Sequence, residues 1–166
     1  MSAPESEPGA GTPFEILLQR ADETAGPDST HGHAPGTLLL VEDDAFLRAT
    51  YRELLVGQGW EVLAAPDGFN ALLQANARRG RIDLLICDVI LPQMSGIELW
   101  QKLSRLRPEA AVLFISGDLE KARKLLGHED PPHLLAKPFT PTALLDTVRL
   151  LLAESPFLRP EPPPRA

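Results

Sequence analysis

One cysteine, Cys87, is present among the 166 residues, which excludes an internal disulfide and any zinc site built on cysteines. It lies in the strongly apolar run Leu84-Leu85-Ile86-Cys87, so the expected state is a buried, unreactive thiol. No apolar stretch approaches the roughly 20 residues needed to cross a bilayer. The first residues are acidic and contain prolines, without the basic and apolar regions of a secretion signal. A cytoplasmic location with no membrane association is therefore expected. Runs of lysine or arginine are also missing, and the formal net charge is -7. The electrostatic footprint of a nucleic-acid binder is absent, and no nucleic-acid partner is expected.

Proline, by contrast, is plentiful and unevenly placed. Five prolines lie in residues 1–36, five in 156–166 and seven between. Acids follow a similar partition, since residues 1–36 hold six acids against Arg20 alone, while 37–153 hold fifteen acids and thirteen bases. The expected organisation is an N-terminal extension and linker at 1–36, one folded domain at 37–153 and a Pro-rich tail at 154–166. The thirteen residues after 153 are too few for a DNA-binding or catalytic output domain.

Within the central region two patterns alternate. Strand-like runs at 37–42, 60–65, 82–87, 111–116 and 133–136 are separated by helical periodicity at 45–57, 68–79, 95–106, 118–126 and 141–153. Several strand candidates are continuously apolar, as in Leu38-Leu39-Leu40-Val41, which fits a parallel sheet covered on both faces. Asp67 is expected to cap the second helix, and Thr140 before Pro141 the fifth. Five βα units with right-handed crossovers give a doubly wound α/β sheet, whose ligands bind beyond the carboxyl ends of the strands.

Four polar groups stand at those ends in a fixed order: Glu42-Asp43-Asp44, Asp88, Ser116 and Lys137-Pro138. Carboxylates gathered in one crevice repel one another and require a cation or protons. A hard divalent ion such as Mg²⁺ suits oxygen ligands; Asp43 and Asp88 could ligate directly, and Glu42 directly or through water. A carboxylate can attack a phosphoryl group, and Lys137 and Ser116 could neutralise its equatorial oxygens. Each signal alone has a plainer reading: an acidic helix N-terminus for Glu42-Asp43-Asp44, a strand-end cap for Asp88, and loops for the other two.

Val41-Glu42-Asp43-Asp44, the segment from Leu85 to Gly96 around Asp88, Val112-Leu113-Phe114-Ile115-Ser116-Gly117 and Leu135-Ala136-Lys137-Pro138-Phe139 together resemble the receiver domain of two-component response regulators. The resemblance covers 37–153. It implies a single-domain flavodoxin-like (βα)5 fold with strand order 2-1-3-4-5. It further implies Asp88 as phosphoacceptor, Glu42 and Asp43 as the Mg²⁺ pair with the Ile90 carbonyl completing the metal site, and Ser116 and Lys137 as phosphoryl contacts. Lys137-Pro138 resembles the family's cis peptide, and Gly117 would leave access for the phosphoryl group. The implied role is phosphorelay signalling: a phosphoryl group is taken from the phosphohistidine of a sensor histidine kinase or histidine phosphotransfer protein and the signal is passed by protein contact. The domain would be a phosphoacceptor with self-catalysed phosphorylation and dephosphorylation rather than an enzyme. The face formed by about 118–152 is the expected output surface, and the same face would serve a homodimer.

Several features depart from or extend this pattern. Leu134 stands where many stand-alone regulators carry a switching aromatic, and Ile90 and Asp118 flank the site two residues after acceptor and hydroxyl. Residues 7–20 resemble the last strand of a histidine-kinase ATP-binding domain, with Phe14, Ile16 and Leu18 on one face. A receiver of hybrid histidine kinase C-terminal type is therefore expected. His31 and His33 read as solvated linker residues, and His128 and His133 as loop and strand-edge residues. Two other function classes fit less well. A Mg²⁺-dependent phosphohydrolase with an aspartyl nucleophile, of the haloacid dehalogenase type, needs an acid where Ile90 stands. A constitutive interaction module on the same fold would make no use of the acids.

Overall fold

The structure is a computed structural model that describes residues 36–127 and 133–155. The expectations for 7–20, His31, His33, His128 and the Pro-rich end lie outside the described residues.

Ten elements alternate along the chain: β1 (Thr37–Val41), α1 (Ala45–Val56), β2 (Glu61–Ala65), α2 (Gly68–Ala77), β3 (Leu84–Asp88), α3 (Gly96–Leu106), β4 (Ala111–Ser116), α4 (Leu119–Leu126), β5 (Leu134–Ala136) and α5 (Pro141–Glu154). The five strands form one sheet in the order β2-β1-β3-β4-β5, and every pairing is parallel. Chain order reverses between β1 and β3, which makes the carboxyl ends of these two strands the crevice of the sheet.

Alternation of side chains across the pleat divides the core in two. Leu38, Leu40, Leu84, Ile86, Leu113 and Ile115 face α1 and α5, meeting Tyr51, Leu55, Leu144 and Val148. Leu39, Val41, Leu85, Cys87, Val112 and Phe114 face the opposite way, against Ala71 and Ala75 of α2, Leu99 and Leu103 of α3, and Ala122 of α4. Both faces of β1 and β3 are thus buried, which is why their sequences are continuous apolar runs. Each fully buried leucine or isoleucine contributes about 1.5–3 kcal/mol relative to exposure.

Side-chain caps begin every helix. Asp44, Asp67 and Asp118 accept from the amides of Leu47, Asn70 and Lys121, and Thr140 accepts from Ala143 with Pro141 following. Ser95 and Glu98 form a reciprocal capping box at α3. Element boundaries differ from the sequence expectation by one or two residues. The largest shift at a strand start is at β3, expected from 82 and observed from Leu84. Asp83 just before it is tied to both neighbours: its amide donates to the Thr37 carbonyl (2.8 Å) and its own carbonyl accepts from Ala111 (2.9 Å).

Candidate functional site

The strand ends place the acids because β1 and β3 are in register, Val41 opposite Cys87, so Glu42 and Asp88 emerge side by side. Gly96 sets how closely α3 approaches this edge: a Cβ there would stand 2.3 Å from the Asp88 carbonyl oxygen and 2.9 Å from the Cys87 sulfur. No other residue fits without moving the end of β3.

Glu42, Asp43 and Asp88 each offer a carboxylate oxygen within 4.8 Å of the others. Lys137, delivered from β5 by the cis Lys137-Pro138 peptide, donates from Nζ to Glu42 Oε2 at 2.7 Å and to Asp88 Oδ2 at 2.8 Å. Asp88 Oδ1 accepts from the Ile90 amide at 2.8 Å. Glu42 Oε1 accepts from the Asp44 amide at 3.3 Å. The Asp43 carboxylate is exposed and makes no hydrogen bond among the described residues. Glu42 and Asp88 therefore share one ammonium, and Asp43 beside them has none. Burial pushes the Glu42 carboxyl above its ordinary value, with the Lys137 hydrogen bond acting against that rise. At Lys137 burial alone would lower the pKa, but its hydrogen bonds to Asp88 and Glu42 outweigh it and the ammonium is held firmly protonated.

The expected site residues do not all touch. Ser116 is fully buried at the end of β4, and its hydroxyl is turned into its own loop, donating to the Asp118 carbonyl (3.0 Å) and accepting from the Asp118 amide (3.1 Å). Ile90 lies at the rim, 38% exposed. A Cβ at Gly117 would meet no atom within 4 Å, so the fold itself makes no demand for glycine there. Leu134 pairs with Phe114 in register and packs on the core beside it.

Arg48 escaped the sequence reading. Its guanidinium donates to the Glu42 carbonyl at 2.8 Å and the Asp43 carbonyl at 3.2 Å, holding the acidic turn by its backbone and leaving the carboxylates free. An arginine one helical turn after the N-cap Asp44 was the available signal. Tyr51 of α1 meets Phe139, with ring centroids 5.2 Å apart and the planes tilted by 34°.

This geometry has known counterparts. Residues 38–149 match the family model of the response regulator receiver domain. The chain belongs to this family. Receiver domains are signalling domains of two-component systems. The sensor kinase CckA of Brucella abortus (strain 2308) is 31% identical over 162 residues, covering 89% of this chain and 17% of the kinase. The transcriptional regulatory protein CreB of Escherichia coli (strain K12) is 36% identical over 128 residues, 76% of this chain and 55% of CreB. The chain thus spans about half the length, or less, of these two relatives. Among solved structures, the receiver domain of the hybrid histidine kinase CckA superposes with a TM-score of 0.60 at 38% identity, covering 70% of this chain and 99% of that domain. Chemotaxis protein CheY4 of Vibrio cholerae gives 0.61 at 28% identity, over 71% of this chain and 99% of CheY4. The expected fold, strand order and hybrid-kinase kinship of this receiver are borne out. Among the described residues no helix is long and apolar enough to cross a membrane.

Proposed function

We propose that this receiver accepts a phosphoryl group from a phosphohistidine on Asp88, in a Mg²⁺-dependent reaction, and signals through protein contact. The observation that carries the proposal is the gathering of Glu42, Asp43 and Asp88 within 4.8 Å of one another, with Lys137 pairing only Glu42 and Asp88. Such a surplus of carboxylates is costly unless a cation completes it. The donor set is all oxygen, which fits a hard ion, and Asp43 is exposed for ligation. Glu42, Asp43, Asp88 and the Ile90 carbonyl would hold Mg²⁺, which when bound offsets the charge of the carboxylates and of the phosphoryl oxygens.

Each Asp88 oxygen carries one hydrogen bond, from Lys137 and from the Ile90 amide, so each keeps a lone pair for attack. An Asp88 oxygen bonds to phosphorus as the phosphorus–nitrogen bond breaks, and the donor imidazole, protonated beforehand on its other ring nitrogen, leaves neutral. Lys137 is already poised at Asp88 and can turn its protons to a phosphoryl oxygen, while Glu42 keeps the ammonium in place. Ser116 must exchange the Asp118 carbonyl for a phosphoryl oxygen. Because Asp118 caps α4, that exchange reaches the N-terminus of α4 without an aromatic at 134. The output surface is accordingly 118–152, open to a downstream protein or to a second copy of the chain. The donor is a sensor histidine kinase or a histidine phosphotransfer protein, and the location cytoplasmic.

The CckA match supports a hybrid-kinase origin. It takes in 89% of this chain, more than residues 37–166 supply (130 of 166), so part of 1–36 is also similar to the kinase. The test is intact mass after incubation with acetyl phosphate and Mg²⁺, comparing the native chain with Asp88→Asn. One phosphoryl adduct that requires Mg²⁺ and is lost in the variant is expected. No adduct on a folded native chain would leave the constitutive interaction module as the better account.

A further inference from the structure

Helix α2 is unusual for a surface helix, because its ten residues, GFNALLQANA, include no charged side chain. Its inner face is small, Gly68, Ala71 and Ala75, and a Cβ on Gly68 would stand 2.9 Å from the Met94 sulfur. The large side chains therefore point outward: Phe69 is 57% and Leu73 68% exposed. Beside them Leu106, at the end of α3, is 50% exposed. Phe69, Leu72, Leu73 and Leu106 line a groove of about 530 Å³ between the two helices, and its charged lining residues are Lys102 and Arg105 of α3. No carboxylate lines it. By comparison, α4 places Glu120, Lys121, Arg123 and Lys124 in eight residues, the composition of a solvated helix.

We propose that the groove between α2 and α3 is a docking surface for a short amphipathic helix of a partner protein, with apolar residues entering the groove and carboxylates flanking them. Length, shape and charge each support that occupant. Ten residues of α2 extend about 15 Å, enough for three turns of a helix with apolar residues at i, i+3 or i+4, and i+7. The groove is a shallow, open depression, so a helix can lie along it without a large rearrangement. Lys102 and Arg105 meet no acid in the lining and favour an acidic partner. A second copy would set these cations against their own counterparts across a two-fold axis, which is unfavourable. Two cations are also fewer than the four to eight that anionic membrane recognition uses. The surface is separate from the Asp88 site and from 118–152.

The probe is a synthetic amphipathic peptide of about 14 residues with leucines on one face and glutamates elsewhere, titrated into the ¹⁵N-labelled chain. The control peptide carries lysines in place of glutamates. Amide shifts confined to 68–77 and 101–107 are expected, with the acidic peptide bound at least about tenfold more tightly than the basic one. Lys102→Glu with Arg105→Glu should reverse that preference, and Leu73→Ser with Leu106→Ser, both exposed positions, should abolish binding of either peptide. No binding of the acidic peptide, equal affinity for both peptides, or shifts centred elsewhere would overturn the proposal. So would shifts that grow with protein concentration alone, which would identify a second copy, or shifts produced by anionic vesicles and not by the peptide.

Discussion

An aspartate stands at each end of the hydrophobic run of β3, and the two meet opposite fates. Asp83 precedes it at the amino edge of the sheet and Asp88 closes it at the carboxyl edge, and they are similarly buried, at 6% and 9% exposure. Their partners distinguish them. At the amino edge Asp83 accepts from the Thr37 amide at 2.8 Å and faces Arg81 at 3.7 Å, while Arg78 holds Glu61 at 2.6 Å and donates to the Thr37 hydroxyl at 3.0 Å. Two acids meet two arginines, and the polar groups satisfy one another. At the carboxyl edge Glu42 and Asp88 share Lys137, Arg48 binds only backbone carbonyls, and the Asp43 carboxylate is unengaged. Burial of an acid therefore does not mark function in this molecule. What distinguishes the carboxyl edge, the site proposed above, is its surplus of acids over cations.

The widest separation between the two edges should appear in stability. Asp83→Ala orphans the buried Thr37 amide and should cost about 2–3 kcal/mol in urea unfolding, while the folded fraction still takes up a phosphoryl group. Asp88→Ala should cost less, about 1 kcal/mol, because relief of carboxylate repulsion offsets the lost Lys137 contact and the Ile90 amide it also leaves lies at the exposed rim, and should abolish the adduct. Equal costs would dissolve the distinction.

Next in size is the response to Mg²⁺. At ten times its Kd the ion should stabilise the native chain by about 1.4 kcal/mol, roughly a 5 °C rise in Tm, and should do nothing for Asp88→Ala. Burial raises the Glu42 carboxyl, so protons compete with the ion at a higher pH than they would at an exposed glutamate. The gain in Tm should therefore shrink as pH falls through that raised value. A gain that is independent of pH down to the range of exposed carboxylates would remove Glu42 from the ligand set.

The smallest effect belongs to the amino edge in acid. Hydrogen bonding to Arg78 holds the Glu61 carboxyl below its ordinary 4.5, so the pair contributes stability above that value and loses it as pH falls through the lowered one. Arg78→Met should flatten that part of the stability profile and leave phosphoryl uptake unchanged. An altered adduct yield would mean that the two edges communicate.

Much of this was legible in the chain. Continuous apolar runs announce strands buried on both faces, and polar residues closing those runs announce the crevice, because a parallel sheet brings all carboxyl ends together. Asp67 and Thr140 were readable as caps from their place before helical periodicity. Asp44, Ser95 and Asp118 cap as well, but in the sequence each sits inside or beside a stronger signal, the acidic group, the acceptor segment or the hydroxyl. Arg48 offers only its place one turn after Asp44 as a signal, because its partners are backbone carbonyls, which every residue has.

By itself the sequence determined the five βα units, the residues that meet at the crevice and the membership of the family, since these depend on periodicity and on the order of side chains along the chain. Only the tertiary structure decided that Lys137 bridges Glu42 and Asp88, that Ser116 is turned toward Asp118, and that α2 buries Ala71 and Ala75 while leaving Phe69 and Leu73 outside. The reason is the same in each case. Periodicity says which residues share a face, whereas the choice of partner, rotamer and buried face depends on the space and charge left by elements distant in sequence.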